Sequence, residues 1–419
     1  MDTLTQKAHF WRKASFGATL AELNNPSSPS ALLQTWLKDT PSPTVPTLSP
    51  INTRDRQQIT RLLAQQRREF SKWLIEQMVA AVNPFHEKMV NFWRDHFVVA
   101  IAKVRFPLLL IDYEQRLRQH ALGDFQELLW QVTTSPAMLV YLDNLQNRRG
   151  KINENYSREV MELFTIGRGN YTEQDIQEGA RALTGWLLRR DPSQGTATAQ
   201  FVARRHDPTA KIFLGKRGNF KTADIVEILA NHPATPKLLA NKLWKTFAYA
   251  NPEPAVIERL AIAYHKNQRS IGAMMETLFN SPEFYSAKSY RSQLKTPIYF
   301  MVGSIRQLGI KAQPERILAA LRTMGQIIYN PPTVKGWADD SGWYTAPSLL
   351  ARFNLAQSMT GKYEDDNGFD FDADRYSRQD LVNLLLDGKL DPTIETAGRN
   401  LDTREFAALL LSAPIYQLV

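Results

Sequence analysis

Cysteine is absent from the 419 residues. Disulfides, thiolate metal sites, iron–sulfur clusters and a cysteine nucleophile are excluded with it. Long apolar runs are missing too. None reaches the roughly 18 residues that a membrane-spanning helix needs. The longest candidate, residues 97–111, is interrupted by Lys103 and Arg105. The opening MDTLTQKAHFWRK has no apolar signal-peptide core, so the expectation is a cytoplasmic chain, or an exported one if a leader was trimmed. Histidine is scarce, at 7, and neither HExxH nor His-x-His occurs. There is no G-x-S-x-G elbow, and no G-x-G-x-x-G follows a strand. GRGNYT at 167–172 has part of that spacing but joins two helices.

What the chain does have is unevenly placed positive charge. Lysine and arginine number 51 against 42 acidic residues, a net +9 with a pI near 9.5. Residues 361–419 hold 6 basic and 12 acidic side chains, which leaves +15 on residues 1–360. The densest stretch, 181–220, carries 8 basic and 2 acidic residues. Such a cluster suits an anionic small molecule, a glycan or an acidic partner. It lacks zinc-finger spacing, an RNP pattern and a Walker loop, so nucleic acid ranks last among its partners.

Apolar spacing predicts a mainly α-helical, multi-helix body formed as one domain over 1–419. Ile59, Leu62, Leu63, Phe70, Trp73, Leu74 and Met78 recur at three- and four-residue steps over 56–82. The same stripe runs from Phe85 through Met89, Phe92, Trp93 and Phe97, and helices are expected over 112–133 and 172–190. Three stretches interrupt the pattern: a proline-rich loop at 39–52, a basic excursion at 190–219 and an acidic loop at 363–375. Within the excursion, β-prone residues 196–203 and 211–214 flank HDPT, which predicts a small β-hairpin or extended excursion near 196–214. The acidic loop lacks the ligand spacing of an EF-hand.

Candidate chemistry centres on NRRGKINENYSREVMELFTIGRGNYTEQDIQEGARALTGW at 147–186. As a helix, Glu154, Arg158 and Glu162 share one face, with Glu159 three residues before Glu162. A capped helix from Thr172 would fold back and bring Asp175 and Glu178 towards them. Two readings stay open. The bland one is an intrahelical ion-pair ladder. The functional one makes Glu154, Arg158, Glu159, Glu162 and His206 catalytic, a glutamate moving the proton and Arg158 orienting a carboxylate or phosphate. Asn153, Arg181, Trp186, Asp207 and Lys211 would bind the ligand around them. A divalent metal held by Glu159, Glu162 and His96 is the cofactor this donor set admits.

The chain resembles the bacterial family known as domain of unknown function 1800. The resemblance is carried by HFWRKASFGAT (9–19), PFHEKMVNFWRDHF (84–97), the block at 135–186, HDPTAKIFLG (206–215), LLANKLWKTF (238–247) and MGQIIYNPPTVKGW (324–337). It implies a mostly helical protein without a settled activity, often exported. It also implies a protein partner encoded by a neighbouring sulfatase-like gene. Arg94 stands where members often carry another histidine, which weakens a metal site built there. The last block adds Lys335 and Trp337 as a patch suited to a sugar or acidic ligand. The functional expectations are a carboxylate-centred enzyme or a non-catalytic binding and assembly protein.

Overall fold

Helix starts are written locally as a short polar cap followed by proline or a good helix former. Ser28–Pro29, Asn83–Pro84, Ser135–Pro136, Thr296–Pro297 and Asp391–Pro392 each open a helix in this way, the cap side chain accepting a backbone N–H of the first turn. The computed structural model describes residues 1–51, 53–191, 196–337, 340–361 and 368–419. Asn52 of the proline-rich loop and 363–367 of the acidic loop lie outside the described residues.

The chain opens with α1 (Thr3–Ala14), α2 (Leu20–Asn24), α3 (Pro29–Lys38) and the long α4 (Arg56–Val79). Then come α5 (Pro84–His96), α6 (Ile101–Val104), α7 (Pro107–His120), α8 (Phe125–Thr133) and α9 (Pro136–Tyr141). The short α10 (Asn155–Glu159) runs on as a π-helical turn, Val160–Phe164, and precedes α11 (Glu173–Ala182). After the β excursion follow α12 (Thr222–Ala230), α13 (Ala234–Phe247), α14 (Pro254–Lys266), α15 (Ile271–Phe279), α16 (Pro297–Leu308) and α17 (Pro314–Thr323). The last helices are α18 (Ala346–Thr360), α19 (Arg378–Leu386), α20 (Pro392–Gly398) and α21 (Thr403–Ser412). Among the described residues no helix is long and apolar enough to cross a membrane.

The fold is mainly α with small antiparallel hairpins. β1 (Trp186–Asp191) pairs with β2 (Thr196–Phe201) from Trp186 opposite Phe201 to Asp191 opposite Thr196. β3 (Lys211–Phe213) pairs with β4 (Lys216–Gly218), and β5 (Lys311–Ala312) with β6 (Phe369–Asp370). The hairpin expected near 196–214 is thus present, as two hairpins in which residues 196–201 and 211–213 each find a different partner. One expectation is corrected here: the helix expected over 172–190 stops at Ala182. Gly185, at φ +111, then turns the chain into β1 so closely that a Cβ there would meet the Phe201 ring.

α5 is the axle of the core. Its Phe85 and Phe92, with Phe247 of α13, Phe279 of α15, Trp36 of α3 and Phe10 of α1, form a continuous ring cluster with centroids 5.5 to 6.4 Å apart. Each such buried ring stabilises the fold by about 1.5–3 kcal/mol. The same helix also buries Glu87, Lys88 and Arg94. Glu87 and Glu114 of α7 share Arg94 and Arg118, at 2.6 to 3.0 Å. The Tyr329 hydroxyl donates to Glu114 at 2.6 Å, which anchors the start of the YNPPTVKGW loop. Two carboxylates meet two guanidinium groups, so this dry cluster is neutral overall. Burial alone would raise the Glu114 carboxyl, but Arg94 and Arg118 outweigh it and hold the group at about 2.

Removing one carboxylate leaves a buried cation unpaired. Glu114→Gln is therefore expected to cost ~3–5 kcal/mol at neutral pH in urea denaturation. The wild-type contribution is complete above the ordinary glutamate value of 4.5 and fades as pH falls towards about 2. The gap between variant and wild type should close over that window.

Candidate functional site

α10 and α11 do pack as a pair, as expected. The Ser157 hydroxyl donates to the Ile176 carbonyl at 2.8 Å, and a Cβ at Gly179 would lie only 2.6 Å from Ser157 Oγ. The π turn changes which carboxylates meet. Its i→i+5 bonding shifts the phase of every residue after it. Glu162 therefore leaves the face of Glu154 and Arg158, and accepts from Arg168 at 2.6 Å and from the Tyr171 hydroxyl at 3.1 Å. Arg158 bridges Glu154 at 3.4 Å and holds Glu173 with two bonds of 2.8 and 2.9 Å. The single ladder is thus two separate ion-pair groups, one centred on Arg158 and one joining Arg168 to Glu162. Asp175 and Glu178 do not face the first helix: Asp175 caps Thr172 and accepts the Leu214 N–H, and Glu178 accepts from Ile212 N–H and Arg181. Asn153 serves the backbone, accepting the Asn155 N–H at 3.0 Å.

Glu159 differs from its neighbours. It is half-buried and makes no side-chain hydrogen bond or ion pair among the described residues. Burial, then the neighbouring Glu162, push its carboxyl above the usual range, against Arg158, Lys335 and Arg168. The charge of Lys335 bears on both the Glu159 and the Glu162 carboxyls.

His96 does not join them. Its Nε2 donates to the Phe164 carbonyl at 3.1 Å, and its Nδ1 accepts from Lys242, which also donates to the Leu163 carbonyl. Both nitrogens thus cap carbonyls at the end of the π turn or the lysine that does so. Burial, then Lys242, push His96 well below the usual histidine range, so it is neutral. Among the described residues no three His, Asp or Glu side chains gather as metal ligands, so Glu159, Glu162 and His96 do not form the expected metal group. Nor does His206 reach the glutamates as a further ligand. Its Nδ1 lies 3.1 Å from Thr184 Oγ1 and 3.2 Å from the Thr184 carbonyl.

The residues around His206 knot the HDPT turn to α11. Arg181 donates to Asp207 at 2.9 Å, to Glu178 and to Thr209, while Lys211 donates to the Asp207 and Thr209 carbonyls at 2.7 and 2.8 Å. Trp186 is buried against Trp130 and Phe201, its N–H on Thr222 Oγ1. These expected ligand residues are satisfied by the protein itself.

A cavity of about 170 Å³ lies elsewhere, beside α5. Lys88, Asn91, Phe92 and Asp95 of α5 line one side, Lys245 and Thr246 of α13 another. Gln293 to Tyr299, at the start of α16, form the base, and Tyr329, Trp337 and Trp343 close it. Trp337 is held there by its N–H on Asp95 Oδ1 at 3.2 Å. Of the predicted site residues, only Trp337 lines this cavity.

Behind the wall lies a second buried charge cluster, and it is not neutral. Arg12 and Arg291 share one carboxylate side chain, Asp387, at 2.7 and 3.1 Å. Arg352, 1% exposed, donates to Gln417 and to the Lys295 carbonyl and has no carboxylate partner among the described residues. Burial pushes its guanidinium down to about 10. Lys295, 2% exposed, sets its ammonium 3.2 Å from the centre of the Tyr416 ring, with no hydrogen-bond acceptor among the described residues. Burial, then Arg291 and Arg12, hold it well below the usual lysine range.

Sequence reasoning missed Lys88 and Lys295. For Lys88 a signal was available: it stands three residues after Phe85 and four before Phe92, on the buried stripe itself. Lys295 sits next to the Thr296–Pro297 helix start and carries no periodic mark.

A mainly helical protein with a cation-backed cavity beside its central helix is the class these observations define. The chain matches the family described as "Protein of unknown function (DUF1800)" over residues 9–418, and it belongs to that family. Neither a curated protein nor a solved structure matches it.

An ammonium buried without an acceptor costs stability unless something else uses it. Lys295→Met should leave stability unchanged or raise it by up to ~2 kcal/mol, read by urea denaturation at neutral pH. The sign follows from linkage: with the folded pKa lowered, the unfolded chain binds the proton more tightly, so lysine destabilises below its ordinary value of 10.5. A loss of more than ~1 kcal/mol would make Lys295 a purely structural residue.

Proposed function

We propose that this protein binds a small anionic molecule in the cavity beside α5. The observation that carries this reading is the charge imbalance behind its base. Arg12 and Arg291 share Asp387, and Arg352 and Lys295 are buried without a carboxylate partner among the described residues. In a dry interior such an excess is expensive, and a bound anion offsets it. Lys88 lines the cavity as well, while Trp337 and Trp343 supply flat apolar walls. The candidate ligands are accordingly carboxylates, phosphates and sulfates of small size.

The test is calorimetric titration with phosphate, sulfate, succinate and glyoxylate between pH 6 and 9. Binding of an anion restores the proton to a lysine whose pKa burial has lowered. Affinity should therefore fall as pH rises, by about tenfold per unit once the lysine has lost its proton. Proton uptake on binding should appear as a dependence of the heat on buffer. Absence of binding by all four anions, with Lys295→Met indistinguishable from wild type, would remove the basis of this reading.

A second reading, the carboxylate-centred enzyme for an anionic or sugar-like substrate, is favoured by Glu159 alone. A partnerless carboxyl raised by burial and by Glu162 suits proton transfer. Carbon NMR of labelled glutamate side chains should show Glu159 titrating above ordinary glutamates. Glu162→Gln should bring it back down, because a like charge is removed. A normal Glu159 titration in wild type would end this reading.

A further inference from the structure

The geometry points to Lys88 as a nucleophilic amine that condenses with the carbonyl carbon of a small anionic aldehyde or 2-oxo acid to form an imine. This rests on the anion-binding reading and names the chemical class of its ligand. Lys88 lines the cavity from α5 and is 5% exposed. Its side chain donates to the Lys13 carbonyl at the end of α1 and, at 3.0 Å, to the Tyr299 hydroxyl. Tyr299 in turn donates to the Ser15 carbonyl, so its oxygen is free to accept.

A neutral amine has two N–H bonds and one lone pair. Both N–H bonds are used here, and the lone pair remains. An ammonium in the same place would carry a third N–H with no acceptor among the described residues. The rings of Tyr299 and Phe247 lie 4.3 and 5.0 Å from the nitrogen. Among the described residues the charged groups that bear on it, Lys13 and Arg12 of α1, are both cationic. Burial first, then these two cations, keep Lys88 well below the usual lysine range, which supports the neutral form.

The step balances without an oxidant or reductant. The nitrogen lone pair attacks the carbonyl carbon, a C–N bond forms, and the carbonyl π electrons move to oxygen, which takes a proton. The carbinolamine then loses its hydroxyl as water, and the C=N bond replaces C=O. Both amine protons leave, in net, with the oxygen. Tyr299 is a positioning residue, holding the amine by the N–H it accepts. Lys295 meets the carboxylate of the ligand.

The experiment uses the full chain with glyoxylate and sodium cyanoborohydride at neutral pH, followed by peptide mass spectrometry. Reduction of the imine leaves a carboxymethyl group on the lysine that formed it. Lys88 should be modified at least ~10-fold faster than the average exposed lysine, since each unit of lowered pKa raises the free-amine fraction about tenfold. Propanal, which has no charge, is the parallel probe. Modification spread evenly over the lysines with both probes overturns the proposal. Glyoxylate that stabilises the protein in a melt yet leaves Lys88 unmodified overturns the imine and keeps the anion site. Selective modification by propanal but not glyoxylate keeps the amine and overturns the anion site. The mapping is made on the wild-type chain, so it does not depend on a variant that folds. Lys88→Arg, which retains donors but no nucleophilic lone pair, should abolish the selective product.

Discussion

Charge neutrality inside a dry helical core is the constraint on which this structure depends. α5 carries Glu87, Lys88 and Arg94 into the interior, and each must find a counterpart there. On one flank the sum is even: Glu87 and Glu114 against Arg94 and Arg118. That cluster ties α5 to α7 and, through Tyr329, fixes where the 329–337 loop begins. In the second cluster, behind the cavity wall, the sum is uneven. The cavity lies between the two: Arg94 and Tyr329 line it from the balanced cluster, Lys295 from the unbalanced one, and Lys88 from α5. Their difference separates a structural role from a functional one more clearly than any single residue does.

The 329–337 loop connects the two candidate places. Tyr329 is tied to Glu114, the Trp337 N–H to Asp95 at the cavity rim, and the charge of Lys335 bears on Glu159 and Glu162. The π turn completes the arrangement from the other side. Its widened backbone turns Glu162 towards Arg168 and Tyr171, leaves Glu159 without a partner among the described residues, and presents carbonyls that His96 and Lys242 cap. One loop and one irregular turn thus set both the cavity wall and the odd carboxyl.

Much of the helical plan was legible because it is local. The stripe over 56–82 became α4, the Asn83–Pro84 start became α5, and Thr172 capped α11. Gly123 split one expected helix into α7 and α8. The β excursion was located, but its pairing was not, since β1 is drawn from residues whose apolar spacing also fits a helix. The site was far less legible. Glu154, Arg158 and Glu162 looked like one face only while the helix was regular, and a π turn has no sequence mark of its own. The excess of buried cations comes from α1, α5, the start of α16 and α18, which no spacing rule connects. The +9 of the whole chain gave no hint that part of it is internal.

The kind of cation also differs between the two flanks, and this follows from their chemistry. Guanidinium groups keep their proton even when buried, and their planar fork pairs two ways with a carboxylate. They suit a permanent cluster such as Arg94–Glu114. Lysine is a compact charge that gives up its proton when desolvated. Behind the cavity, Arg12, Arg291 and Arg352 supply a fixed positive field; Arg12 bears on Lys88 and all three on Lys295, which favours their neutral forms. An arriving anion reverses the condition for whichever lysine it touches. The cavity is thereby made responsive by its lysines and attractive by its arginines, and neither residue type could serve both ends.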